Sequence, residues 1–341
     1  MHNDDGGRDL GPLVSVLIAA YNGEDTIHTA LEYICNSTYK NIEIIILDDA
    51  STDKTFQICN QIANIDPRIS LKRNQSNLGI VSTYNQLIRL SKGKYIIYND
   101  QDDTRDITFI EKAVSYMESE PDVVLCHSHT LVTVNFQPVH STRIDSVSRR
   151  KELIPRYWGL IRTFSDITIY GLIRRKAILE TKLWQKIPGS ANVLLSDLLL
   201  LGPFGQLSEV LFTYQGKGLA NRPSVEQEVA RATPNQTNLN SPPWIIVWRS
   251  QSKGILSASN LNFRVKAALL FMLGSHVLFT NLLKFIYRIS RRFLPRTTKA
   301  LFFWIFARAI YSKRDIDNII DPSTRPDIYP PEWPLVNPVR K

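Results

Sequence analysis

Tyr95-Ile96-Ile97-Tyr98-Asn99-Asp100-Gln101-Asp102-Asp103 is the stretch on which the reading of this chain turns. The apolar run Tyr95-Ile96-Ile97 reads as a short strand, and three carboxylates follow where it runs out. Three like charges in four residues raise one another's pKa, a cost that a divalent cation removes. Hard oxygen ligands suit Mg²⁺ or Mn²⁺. Taken alone, the triplet Asp100, Asp102 and Asp103 is more commonly a solvated acidic turn. Its surroundings reverse that balance.

Toward the N-terminus, Leu13 to Ala19 is a β-branched apolar run that reads as a buried strand and ends at the turn Tyr21-Asn22-Gly23. Ile27, Ala30, Leu31 and Ile34 then recur at helical spacing. Ile42 to Leu47 forms a second buried strand that stops at Asp48-Asp49, and Ser51-Thr52-Asp53 cap the next helix. Ile69-Ser70-Leu71-Lys72 gives a third strand, and Asn77-Leu78-Gly79 turns into a helix with Tyr84, Leu87, Ile88 and Leu90. Beyond the acidic cluster, a helix carrying Phe109, Ile110, Ala113, Val114 and Met117 leads to a short strand at Val123 to Cys126. This alternation predicts an α/β fold, a mainly parallel sheet flanked by helices. Ligands of such sheets gather at the carboxyl ends of the strands, where Asn22, Asp48-Asp49 and Asp100 to Asp103 all fall.

Composition narrows the function further. No Gly-x-Gly-x-x-Gly follows the first strand and no phosphate-binding Gly-x-x-x-x-Gly-Lys-Ser/Thr is present, so a nucleotide would be held through carboxylates and a metal. Cys35, Cys59 and Cys126 are far apart, which fits buried thiols in a reducing compartment. The polar start, with Asp4, Asp5 and Asp9, lacks the plan of a signal peptide, so the cytoplasm is the expected location. From Val229 to Arg314 there is no acidic residue and 14 basic ones, against 27 basic and 32 acidic elsewhere. That asymmetry points to an anionic surface as partner.

Past residue 130 the pattern loosens. Ile167 to Ile173 alternates like a strand with a Gly kink, Ala177-Ile178-Leu179 opens a helix, and Asn192 to Leu201 is an apolar helix containing one acid, Asp197. Composition places Asp197 on the solvent side of that helix. The boundaries read as a polar tail over 1–12, a catalytic domain over 13–220 and a linker over 221–243. A basic helical extension over 244–315 and a Pro-rich tail over 316–341 complete the chain. Residues 263–293 form one long amphipathic helix, with Lys266, Lys284, Arg288 and Arg291 on one face. Its apolar run is short for a spanning helix, so it is expected to lie in a membrane interface at the inner face. A nucleic-acid partner is not expected, because the basic residues alternate with aliphatic ones and offer no stacking platform.

The coupled motifs Val14 to Gly23, Asp48 to Asp53, Asn77-Leu78-Gly79 with Asn85, and Asn99 to Asp103 resemble those of the family 2 glycosyltransferases, in order and in spacing. The Asp-Gln-Asp-Asp form looks most like the rhamnosyltransferase-like branch. The resemblance implies the GT-A fold and transfer of one sugar from a UDP- or dTDP-sugar to a glycan or lipid-linked acceptor. By the same resemblance Ala20, Tyr21, Asn22, Asp48, Asp49, Asn77 and Gly79 line the donor pocket, with Asp49 on the base and Asp102 on the ribose side. Asp103, with Asp102 and Asp100, would hold the metal, and Asp197 would be the general base, which raises it above its solvent-face reading.

The chain departs from that pattern in places. Ala50 stands where Gly is frequent, which is mild if the turn needs no positive φ; Ser196 replaces an acid; and Gln215-Gly216-Lys217 follow Tyr214 where relatives carry Arg and His. Lys217 or Arg222 would then supply the phosphate contacts. The Gln-x-x-Arg-Trp signature of processive synthases is absent. One direct, inverting displacement is the expected chemistry. A nucleotide-sugar-binding or scaffold protein without catalysis is the alternative.

Overall fold

Strand β1 (Val14–Ala20) is the axis of the sheet, because its alternate side chains serve two cores. Val14, Val16, Ile18 and Ala20 enter one, while Leu17 enters the other. The computed structural model describes residues 11–134, 137–142, 150–162, 166–216 and 241–293. On either side of β1, strands β2 (Ile42–Asp48) and β4 (Tyr95–Tyr98) pair with it in parallel, and β3 (Ile69–Arg73) extends the sheet beyond β2. Burial on both faces explains why β1, β2 and β4 read as apolar runs, whereas β3, at the sheet edge, has no buried residue. Helices α1 (Ile27–Cys35) and α2 (Thr55–Ala63) cover one face and α3 (Ile80–Leu90) the other.

After the acidic loop come β5 (Thr104–Arg105), α4 (Phe109–Ser119), β6 (Leu125–Val134), β7 (Gln137–Thr142) and α5 (Leu153–Arg162). A 3₁₀ turn at Asp166–Tyr170 precedes β8 (Leu172–Arg174), α6 (Arg175–Leu179), α7 (Ser190–Leu201) and β9 (Phe204–Gly216). Helices α8 (Pro243–Ser257) and α9 (Phe263–Phe293) follow. The strand order is β3-β2-β1-β4-β8-β6-β9-β5, with β7 paired to β6. β8 runs antiparallel to both β4 and β6, so it joins the all-parallel half to a mixed half.

Three local expectations change. Residues 167–173 are not one strand; Asp166–Tyr170 coils as a 3₁₀ turn and only Leu172–Arg174 pairs. Gly171 allows the change of course, since a Cβ there would press on the Cys126 carbonyl. The strand expected at Val123 to Cys126 begins at Leu125 and continues to Val134, because β9 runs alongside it. β9 itself is nearly invisible in the sequence: its exposed stretch Ser208 to Val210 breaks the alternation, and the register shifts there.

The C-terminal helices pack where the sequence suggests a region apart. Ile255 of α8 and Leu269 and Leu273 of α9 share one core with Leu194, Leu195, Leu198 and Leu199 of α7. The other face of α9 stays open, with Phe263 83%, Phe271 79% and Leu278 72% exposed. The expected N-terminal tail falls mostly outside the described residues, as do nearly all of the linker, residues 294–315 of the basic extension, Lys217, Arg222 and the Pro-rich tail.

Candidate functional site

Adjacent parallel strands bring the three polar clusters together: Ala20 pairs with Asp48, and Leu17 with Tyr98. Asn22 takes a left-handed backbone at φ +48°, which Asn tolerates. Its N–H donates to Ser51 Oγ (3.0 Å) and its Oδ1 accepts from the Thr52 N–H (2.8 Å), which stitches the β1 and β2 loops together. Ala50 is also left-handed, at φ +61°. The turn therefore does need positive φ, and the departure from Gly is a strained one, costing about 1–2 kcal/mol.

The paired acids divide their work. Both oxygens of Asp49 are used inside the protein: Oδ1 accepts from Asn74 Nδ2 (2.7 Å) and Leu78 N (3.0 Å), and Oδ2 from Gly79 N (2.8 Å). Asp49 thus shapes the loop that opens α3, where Asn77 Oδ1 also accepts from Gly79 N. Asp48 is wholly buried; its Oδ2 pairs with Arg73 Nε at 3.0 Å, while its Oδ1 has no hydrogen bond among the described residues.

The acidic loop is fastened at both ends. Gln101 meets the Tyr21 backbone twice, accepting from its N–H (2.8 Å) and donating to its carbonyl (3.0 Å). Gly23 leaves room for that side chain, since a Cβ would overlap it. Asn99, fully buried, donates to the carbonyls of Asp100 (2.9 Å) and Asp103 (3.3 Å). Asp103 is 1% exposed; its Oδ1 accepts from the Gln215 N–H (2.9 Å), and its Oδ2 has no hydrogen bond among the described residues. Burial, then the charges of Asp100 and Asp102, push the Asp103 carboxyl well above the usual range.

Asp100 is gripped by two phenols, Tyr84 Oη on Oδ1 and Tyr170 Oη on Oδ2 (2.6 Å). Behind them Trp184 stacks on Tyr84 with centroids 5.4 Å apart and donates through Nε1 to Tyr98 Oη (2.9 Å). Asn85 fixes Trp184 through both of its backbone groups. Carboxylate oxygens of Asp100, Asp102 and Asp103 lie within 4.8 Å of one another. Three hard oxygens, one of them a buried and unsatisfied Asp103 atom, fit Mg²⁺ or Mn²⁺. The phenols already occupy one lone pair on each Asp100 oxygen, which makes Asp102 and Asp103 the better ligands.

Asp197 is not among the carboxylates that meet within 4.8 Å. It lies two turns inside α7 and is 7% exposed; its carboxyl accepts a backbone hydrogen bond from Lys182, while its Oδ1 has no hydrogen-bond partner among the described residues. Gly254 of α8 packs so closely that a Cβ would overlap Asp197 Oδ1. Burial pushes its carboxyl up to about 6, with Lys182 opposing the shift. The solvent-side reading from composition is therefore corrected, since α8 covers that face. Asp166, Tyr170, Gln101 and Arg105 join the site only through the fold. Asp166 is exposed, and burial, then its charge and those of Asp103, Asp100 and Asp102, raise the Tyr214 phenol. Only Gln101 carried a signal, its place inside the acidic run.

Residues 15–181 match the Glycosyl transferase family 2. The chain is 44% identical over 108 residues to the UDP-Glc:alpha-D-GlcNAc-diphosphoundecaprenol beta-1,3-glucosyltransferase WfaP of Escherichia coli, covering 32% of this chain and 42% of that protein. It is 36% identical over 176 residues to the putative glycosyltransferase EpsH of Bacillus subtilis (strain 168), covering 50% and 48%. The chain thus spans less than half the length of these relatives. Its fold is similar to S. aureus TarS 1-349 in complex with UDP-GlcNAc, with TM-score 0.60, 17% identity, and 77% and 72% of the two chains covered. It is also similar to the mannosyltransferase PcManGT from Pyrobaculum calidifontis in complex with GDP-Man and Mn²⁺, with TM-score 0.51, 14% identity, and 92% and 85% covered. Residues 15–181, folded as a GT-A sheet, belong to glycosyl transferase family 2.

Proposed function

We propose that this chain transfers one hexosyl or rhamnosyl unit from a UDP- or dTDP-sugar to a glycan or lipid-linked acceptor, with inversion, in cell-surface glycan synthesis. The convergence of Asp100, Asp102 and Asp103 within 4.8 Å, beside the Asp48-Asp49 and Tyr21-Asn22 loops, carries this reading. Relatives named as glucosyltransferase and glycosyltransferase support it, as does a structural neighbour in complex with a nucleotide-sugar and Mn²⁺.

Asp102 and Asp103 would hold the divalent cation, with Asp100 braced by Tyr84 and Tyr170. When bound, it supplies Lewis-acid stabilisation of the departing diphosphate. Asp49 uses three acceptor positions of about four on a carboxylate, which leaves one for an N–H of the base. The acceptor hydroxyl needs an accessible base. We assign that role to Asp166, an exposed acid at the start of the turn whose Tyr170 binds Asp100, in preference to the more enclosed Asp197. The open apolar face of α9, within a segment free of acidic residues, supports docking on an anionic membrane, expected at its cytoplasmic face.

The enclosure of Asp197 also favours a second reading, a nucleotide-sugar-binding protein without catalysis. A panel of nucleotide sugars with Mn²⁺ decides between them. Transfer by the wild type, reduced at least a hundredfold in Asp103→Asn and Asp166→Asn and retained in Asp197→Asn, supports the enzyme and its base. Metal-dependent UDP binding with no transfer to any acceptor supports the second reading.

A further inference from the structure

Arg105 is a buried cation in an apolar slot. It is 5% exposed, and its guanidinium lies 5.0 Å from the Phe109 ring centroid and 4.4 Å from that of Phe212. The pairing of β5 with β9 sets it opposite Phe212. Burying a guanidinium costs several kcal/mol, whereas an apolar side chain would fill the same slot without that penalty. What Arg adds is a set of directed hydrogen bonds. Its Nη2 donates to the Tyr98 carbonyl (2.6 Å) and its Nε to Asn99 Oδ1 (3.0 Å).

The second bond governs the acidic loop. An Asn side chain presents an oxygen at one end and an NH₂ at the other, and the two ends are nearly the same shape. Arg is a donor only, so the end facing Arg105 must be Oδ1. The NH₂ end is thereby turned onto the carbonyls of Asp100 and Asp103. Without the guanidinium, a flipped amide would set its oxygen against those two carbonyls and release both. The backbone that carries the three carboxylates would then have to be ordered by the cation itself, which weakens binding.

We propose that Arg105 is a positioning residue: by fixing the Asn99 amide it holds the Asp100-Asp103 loop in its cation-binding geometry before the donor arrives. This rests on the reading that the loop binds a divalent cation. The test is a Mn²⁺ titration of the full chain without substrate, followed by electron paramagnetic resonance of the free ion. Arg105→Met and Arg105→Lys are expected to raise the Kd at least tenfold, the Lys variant because it keeps the charge but loses the fork. Asn99→Ala cuts the same link with the guanidinium in place and is expected to match them, which keeps the test decisive should Arg105→Met fail to fold. Phe109→Leu loosens the slot but spares the hydrogen bonds, so it should lower the melting temperature with Kd unchanged within twofold. Wild-type affinity in Arg105→Lys or in Asn99→Ala overturns the positioning role. No Mn²⁺ binding by the wild type removes the cation reading itself, a separate result.

Discussion

Ala50 and Asp197 show how single residues carry strain that no motif reveals. Ala50 holds φ +61° so that the loop after β2 can turn toward Asn22. Ala50→Gly should therefore raise stability by about 1 kcal/mol, since relief of the left-handed strain outweighs Gly's greater chain entropy. A shift of the urea midpoint at constant slope would register it. Asp197 is the clearer case for pH. Its folded pKa of about 6 lies above the ordinary 3.8, so the folded state is penalised wherever the group is charged. The penalty is absent below about pH 4, grows between pH 4 and 6, and is complete above 6. Asp197→Asn should be the more stable protein at pH 8, by on the order of 3 kcal/mol, and should converge with wild type near pH 4. Equal unfolding midpoints at pH 8 would rule this out.

At the scale of elements, α9 was legible in length and hidden in orientation. Its period of 3.6 marks a helix over residues 263–293, which is what forms. Apolar residues occupy much of its circumference outside the basic face, however, and sequence alone cannot say which of them meet protein. Leu269 and Leu273 pack beside α7 and α8, leaving Phe263, Phe271, Leu278 and Leu282 outward. The reading of α9 as short for a spanning helix is corrected: by length and composition Phe263–Leu282 is long and apolar enough to cross a bilayer, with mean hydropathy 1.4. Its docked side favours lying along a membrane surface. Vesicles rich in anionic lipid should float the full chain at low salt, and Phe271→Glu with Leu278→Glu should abolish flotation while leaving transfer to a soluble acceptor intact. Flotation that survives both substitutions would place the contact elsewhere. The same limit applied to α7, whose apolar run announced a helix but not the covering of Asp197 by Gly254.

For the whole molecule, what the chain order settles and what packing settles divide near residue 100. The parallel half was readable because its central strands β1, β2 and β4 are buried on both faces and each helix on one, so burial is written into local periodicity. The meeting of Asn22, Asp48-Asp49 and Asp100-Asp103 at one sheet edge follows from that order and from right-handed crossovers. The mixed half was not readable, because β5, β8 and β9 are short or irregular and are chosen by long-range partners. Those same partners complete the site: β9 carries the Gln215 N–H to Asp103, the turn before β8 carries Tyr170 to Asp100, and the β5–β9 pair encloses Arg105. By itself, the sequence determined the family, the parallel sheet and the acids that could hold a cation, since residue type and local spacing suffice for those. Only the tertiary structure decided which acid is buried and unsatisfied, which is braced by phenols and which is packed under α8. Burial and hydrogen-bond partners come from segments distant in the chain, and no local pattern encodes them.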